Sequence, residues 1–145
     1  MNCPRCRRGL EKKTIYGDIE VDACPQCQGM WLEFRELDQL EDKAFDRDDL
    51  KGTTIFDTWK TELSCPNCGL KMKEFNYRYY DLKLDFCVNE HGFWLDKGEE
   101  KRVLELMKLE SEKVARKFAL EERWGGTLRS LKSKSFFSKI KDLLR

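Results

Sequence analysis

The chain has 145 residues, 38% of them charged and 40% apolar, with a formal net charge of +1. That length holds one ordinary domain or two very small ones, and the polar balance excludes a large hydrophobic core. Small units that need stabilisation from outside their own packing fit better. A transmembrane helix is not expected, since no run of about 18 apolar residues occurs. The opening Met1-Asn2-Cys3-Pro4-Arg5 lacks the apolar stretch of a signal peptide, so a cytoplasmic location is expected. In a reducing compartment, closely spaced cysteines are more often metal ligands than disulfides.

Taken in order, the chain begins with Cys3-Pro4-Arg5-Cys6, a short knuckle. Residues 10–16 lead into the turn dipeptide Gly17-Asp18. Ile19, Val21 and Ala23 then alternate with Asp18, Glu20 and Asp22, which reads as a β-hairpin. A second pair, Cys24 and Cys27, comes next, and then Gly29-Met30-Trp31-Leu32-Glu33. Beyond it Leu37, Leu40 and Ala44 fall at helical spacing. Residues 33–50 carry eight acids against three bases, so this first helix is acidic. Residues 51–63 join it to a second cysteine-rich segment; Ile55, Phe56 and Trp59 within them are expected to pack between two modules.

The whole pattern then recurs. Cys65-Pro66-Asn67-Cys68 repeats the first knuckle, Leu84-Asp85-Phe86-Cys87 repeats Val21-Asp22-Ala23-Cys24, and Gly92-Phe93-Trp94-Leu95-Asp96 repeats the segment from Gly29. Phe75, Tyr77 and Tyr79 alternate, a turn falls near Tyr80-Asp81, and Leu82, Leu84 and Phe86 alternate again. A long helix is expected over residues 97–124, with Val103, Leu106 or Met107, Val114 and Phe118 on its apolar stripe. Gly125-Gly126 is its expected stop. The last nineteen residues hold six bases against one acid and form a basic amphipathic tail. The expected divisions are 1–50, first ribbon and acidic helix; 51–63, linker; 64–126, second ribbon and long helix; 127–145, tail.

Cys3, Cys6, Cys24 and Cys27 make a four-thiolate set on two knuckles separated by a hairpin, the donor type and spacing of a tetrahedral zinc site. The soft donors exclude calcium and magnesium, while iron remains open on ligands alone. The second set is Cys65, Cys68, Cys87 and His91, with Glu90 an alternative fourth ligand because it aligns with Cys27. Imidazole is the commoner partner of three thiolates, and its reach can absorb the one-residue shift. Seven cysteines and one histidine thus give eight donors for two Zn²⁺ ions. The expected fold class is a small metal-stabilised α+β protein: two tandem zinc ribbons, each a β-hairpin plus helix, then a long helix and a basic C-terminal helix.

On these motifs both units resemble the bacterial TFIIB-type zinc-ribbon family. Residues 1–41 and 64–106 carry the resemblance, including Trp31-Leu32-Glu33 with Arg35-Glu36-Leu37, and Trp94-Leu95-Asp96 with Gly98-Glu99. It implies a zinc-ribbon fold and a binding role. Glu33 and Phe34-Arg35 depart from the family pattern without touching a ligand.

Catalysis is not expected, because closed four-ligand sites use every cysteine and the histidine; nor is a small-molecule substrate. The expected role is a zinc-binding adaptor contacting nucleic acid or a transcription or translation machine. Arg129, Lys132, Lys134, Lys139 and Lys141 are the candidate phosphate contacts. A membrane-surface or protein-docking adaptor acting through the C-terminal amphipathic helix is the alternative. Trp31 and Trp94 are expected as core anchors, and Tyr77, Tyr79 and Tyr80 with Arg78 as one buried strand face plus exposed neighbours, before any base-stacking role.

Overall fold

The computed structural model describes residues 1–130, with side chains as far as Trp124. The first alternating segment forms an antiparallel hairpin of β1 (Glu11–Ile15) and β2 (Ile19–Ala23). Tyr16 and Gly17 turn it through left-handed backbone, at φ 49° and 90°. In β2 the apolar Ile19 and Val21 are buried while Glu20 faces solvent, as a period of two requires.

Each module then adds a third strand that the sequence pattern did not predict. β3 (Met30–Leu32) pairs with β2, and its counterpart β7 (Phe93–Leu95) pairs with β6 (Lys83–Phe86). β3 and β7 also pair with each other, aligning Met30 with Leu95, Trp31 with Trp94 and Leu32 with Phe93. Three residues are too few to show alternation, and the partner of each across the β3–β7 seam lies about sixty positions away.

The two ribbons are therefore halves of one seven-stranded antiparallel sheet, ordered β1-β2-β3-β7-β6-β5-β4. β5 is Lys71–Tyr77 and β4 is Ile55–Ser64. β4 corrects the linker expected over residues 51–63, because it pairs along β5 as an edge strand. Ile55, Phe56 and Trp59 thus lie far from the seam rather than between the modules. Phe56 stacks on Tyr79 at 3.4 Å between ring centroids, and Trp59 is 44% exposed. Tyr79 itself sits in the turn after β5, at φ 66°, and does not continue the Phe75–Tyr77 face.

The sheet has two differently built faces. On one, Ile19, Val21, Leu32, Phe75, Leu84, Phe93 and Leu95 are buried. Helix α1 (Phe34–Asp42) packs on β2 and β3 there, burying Leu37 and Leu40. Phe34 crosses the seam to meet Phe93 edge-on at 4.5 Å. Glu36 reaches back to accept the Glu33 N–H at 2.8 Å, and Glu99 does the same for Asp96 at 2.7 Å. Both helix starts are thus closed by a capping carboxyl group three residues on.

The acidic segment is not one helix. α1 ends at Asp42, and after a turn a short α2 (Asp48–Lys51) forms. Near the end of α1, Glu41 lies under the second hairpin. There Glu41 pairs with Arg78 at 2.8 Å and accepts the Tyr77 hydroxyl, all three groups being buried. Arg78 also donates to the Lys51 and Gly52 carbonyls, tying the segment after α1 to the second module.

α3 runs Glu99–Ser130, through Gly125-Gly126 rather than stopping there. Glycine weakens a helix interior by about 1 kcal/mol relative to alanine, which penalises the helix without ending it. Val103, Leu106 and Met107 are its buried positions, Val114 is half-buried and Phe118 is exposed. Residues 1–110 form one compact unit; the rest of α3 belongs to a second that begins at Ser111.

Candidate metal centres

Four tight turns bring the eight candidate donors together. In the first knuckle the Cys3 N–H donates to the Arg8 carbonyl at 2.7 Å and the Arg7 N–H to Cys3 at 2.8 Å. Cys65 repeats both contacts, with Leu70 and Gly69, each at 2.8 Å. The second ligand pair uses the same device: the Cys24 N–H donates to Gly29 at 2.9 Å, and that of Cys87 to Gly92 at 3.0 Å. Within the loops, N–H groups point at sulfur, Cys6 to Cys3 at 3.3 Å and Asn67 to Cys65 at 3.3 Å. Such bonds stabilise thiolate, the form that binds metal.

The candidate ligand atoms of Cys3, Cys6, Cys24 and Cys27 all lie within 4.8 Å of one another, as do those of Cys65, Cys68, Cys87 and His91. Tetrahedral zinc with Zn–S bonds of about 2.3 Å requires sulfurs about 3.8 Å apart. Cys3 and Cys27 are 3.7 Å apart and Cys68 and Cys87 3.6 Å, far from the roughly 2.05 Å of a disulfide. The residues fit the ion in both places. His91, not Glu90, completes the second cluster, its Nδ1 lying 3.5 Å from the Cys87 sulfur and 3.9 Å from that of Cys65. Glu90 takes the left-handed turn position, φ 60°, and is exposed, leaving the next residue to face the sulfurs.

The ligands differ in environment. Burial pushes the Cys3 and Cys65 thiols up to about 12. The backbone N–H of Leu70 draws Cys68 down to about 6 against its burial. For Cys24, burial is outweighed by the N–H groups of Cys27 and Gln26, which bring it to about 7. Cys24 and Cys68 are therefore ionised more readily near neutrality than Cys3, Cys6 and Cys65, and a dipositive ion would draw those three into the thiolate form.

Both clusters belong to one apolar layer. Cys3, Cys24, Cys65 and Cys87 are buried together with Trp31, Trp94 and Met72, on the sheet face opposite α1. The two indoles sit side by side across the β3–β7 seam. Trp94 Nε1 donates to Asp96 at 3.0 Å, and Asp96 also receives a two-pronged contact from Arg5 of the first knuckle, 2.7 Å at Nη2. Arg5 thus links the first knuckle to the second module, a contact that no spacing rule reveals. Trp31 and Trp94 are core anchors, as expected. Tyr77 and Arg78 are buried too, whereas Tyr79 is exposed.

A third grouping, Asp38, Asp42 and Asp48, also brings its carboxylates close enough to share an ion. The Lys51 ammonium fills it, 3.3 Å from Asp38, 3.0 Å from Asp48 and bonded to Asp42. Of the basic tail residues, Arg129 falls at the end of α3; Lys132, Lys134, Lys139 and Lys141 lie outside the described residues. No helix among the described residues is long and apolar enough to cross a membrane.

No curated protein and no solved structure matches the chain. A family match covers the first module and not the second, although the second has the same strand order and its own four-donor cluster. Residues 2–43 match the model of the TFIIB-type zinc-ribbon family, described as a transcription factor zinc-finger.

Proposed function

We propose that this zinc-binding protein is a recognition module that contacts nucleic acid or a nucleic-acid machine, and that both metals are structural. The carrying observation is the composition of the two clusters. Each brings four donors within bonding geometry of one ion, which leaves no open position for water or substrate. Zinc bound there would staple the knuckles to the sheet and do no chemistry on a ligand. A rigid, metal-stapled sheet is suited to presenting a fixed surface. The first module's family match and the basic tail support a polyanionic partner. A cytoplasmic location is part of the same proposal.

The test is fluorescence anisotropy of labelled 20-nucleotide RNA and DNA with the zinc-loaded chain at 50 and 200 mM salt, alongside co-sedimentation with ribosomes and with core RNA polymerase. Salt-sensitive binding to an oligonucleotide, or saturable co-sedimentation, supports the proposal. Absence of every one of these at tens of micromolar protein overturns it.

A second reading has its own observation. Phe118, Leu120 and Trp124 of α3 are 44%, 53% and 67% exposed. Large apolar groups in that number on one helix segment favour docking on a protein or membrane surface through the C-terminal helix. Sedimentation with anionic vesicles that is lost when residues 127–145 are removed would favour this reading.

A further inference from the structure

Each metal cluster has one ligand turn that the other module supports. The turn holding Cys24 and Cys27 ends at Gly29, whose carbonyl accepts the Cys24 N–H at 2.9 Å, and the Trp94 ring lies directly against Gly29. The turn holding Cys87 and His91 ends at Gly92, which accepts the Cys87 N–H at 3.0 Å, and Gly92 lies against the Trp31 ring. Trp94 follows Gly92 by two residues, and Trp31 follows Gly29 by two. Ordering one ligand turn therefore also fixes the start of the strand whose indole supports the other.

The short strands repeat this dependence. β3 meets its own hairpin only through Trp31 and Met30, opposite Asp22 and Ala23, but pairs along its whole length with β7. β7 meets its own hairpin only at Asp85 and Phe86. A two-stranded hairpin is marginal by itself, so neither module has a stable sheet without the shared seam. A polar link stands apart from this packing. Arg5 lies between the ligands Cys3 and Cys6, and its guanidinium holds Asp96 of the second module, 2.7 Å at Nη2. Asp96 in turn accepts Trp94 Nε1 at 3.0 Å, so the first knuckle also holds the indole that lies on Gly29.

We infer that the two zinc ions bind with positive cooperativity, the first ion ordering the β3–β7 seam and so preforming the second cluster. A chain with neither metal must order ligand turns, seam and indoles together to form either cluster. Once one ion has done so, the remaining cluster already has its supporting indole in place and binds more tightly. Such coupling is reciprocal: either ion strengthens the other by the same factor. The inference stands apart from the nucleic-acid reading and needs no partner. Its consequence is that the sheet assembles in one step over a narrow range of free zinc, rather than one ribbon at a time.

The test uses the full chain with a reductant present, at a series of buffered free zinc concentrations, with zinc occupancy read by native mass spectrometry. Two single-site variants remove only half-buried ligands, Cys6→Ala with Cys27→Ala for the first site and Cys68→Ala with His91→Ala for the second. For independent sites, the product of the two single-site association constants equals the two-zinc constant of the wild type. The wild-type constant should instead exceed that product by about 10–100-fold, a usual size for coupling between sites. A wild-type population with less than half of its chains in the one-zinc form at half-saturation would support the inference without any variant, since independent sites, equal or not, cannot give it. Equality of the wild-type constant and the product overturns the inference. Repeating the set with Gly29→Ala, which displaces Trp94 and leaves all eight ligands intact, should shrink the factor several-fold, whereas Gly9→Ala should not. A factor that Gly29→Ala leaves unchanged overturns the route through the seam.

Discussion

Gly29 lies directly against the six-membered ring of Trp94, and a β-carbon built on it would collide with that ring. The contact is reciprocal: a β-carbon on Gly92 would stand 2.9 Å from the Trp31 ring. Each module thus leaves space for the other's indole, and the two halves meet as a pseudo-symmetric pair fused in one chain.

Gly29→Ala should therefore weaken the seam although Gly29 ligates nothing. Overpacking of a well-filled interior costs about 1–3 kcal/mol. Urea denaturation of the zinc-loaded protein is the measurement. Gly9→Ala, where an added β-carbon meets nothing within 4 Å, is the control. Equal stability of the two variants would contradict the packing argument.

The buried Glu41–Arg78 pair makes a second test of the joint. Glu41→Ala leaves the Arg78 guanidinium buried with carbonyls and no counter-charge, for an expected loss of about 3–5 kcal/mol. Replacing both groups by methionine should recover much of that loss, since the desolvation of two charges disappears along with their attraction. A double variant no better than Glu41→Ala would mean that the pair's geometry, not its charge balance, is what matters.

Two zincs per chain are expected by native mass spectrometry, one in His91→Ala and two in Glu90→Ala. Iron at either site, or loss of metal from Glu90→Ala, would refute the assignment. Removal of zinc by a strong chelator should abolish the cooperative unfolding transition. The clusters form part of the core, and metal binding of this type contributes on the order of 10 kcal/mol of folding free energy.

Glu99 gives the stability a pH dependence. Burial, with the nearby carboxylates of Asp96 and Asp85, raises its pKa to about 8, against the opposing pull of the Asp96 N–H. The folded state then holds a proton that the unfolded state has released, so stability falls as pH rises from the unfolded value near 4.5 towards about 8 and is level above. Glu99→Gln should lose that decline. Thermal melts of zinc-loaded protein between pH 6 and 8.5 should show the wild type losing ground to the variant as pH increases. Parallel curves would rule the effect out.

Much of the metal chemistry was legible in the residues alone. Metal ligation depends on donor type at short spacing, both local properties, so Cys3, Cys6, Cys24, Cys27, Cys65, Cys68 and Cys87 announce themselves. Ligand chemistry favours His91 over Glu90, and the turn at Glu90 gives the geometric reason.

What the amino-acid sequence determined by itself was therefore the two donor sets and the hairpins between them, because each depends on neighbours within about twenty-five positions, and the repeat, which is read from self-similarity and needs no contact between its copies. Only the tertiary structure decided that the ribbons share one sheet, that residues 55–64 form its far edge and that Arg5 reaches Asp96. The physical reason is range. Strands of three residues carry too little pattern to select a partner, and a glycine's need for space is set by an indole from the other half of the molecule.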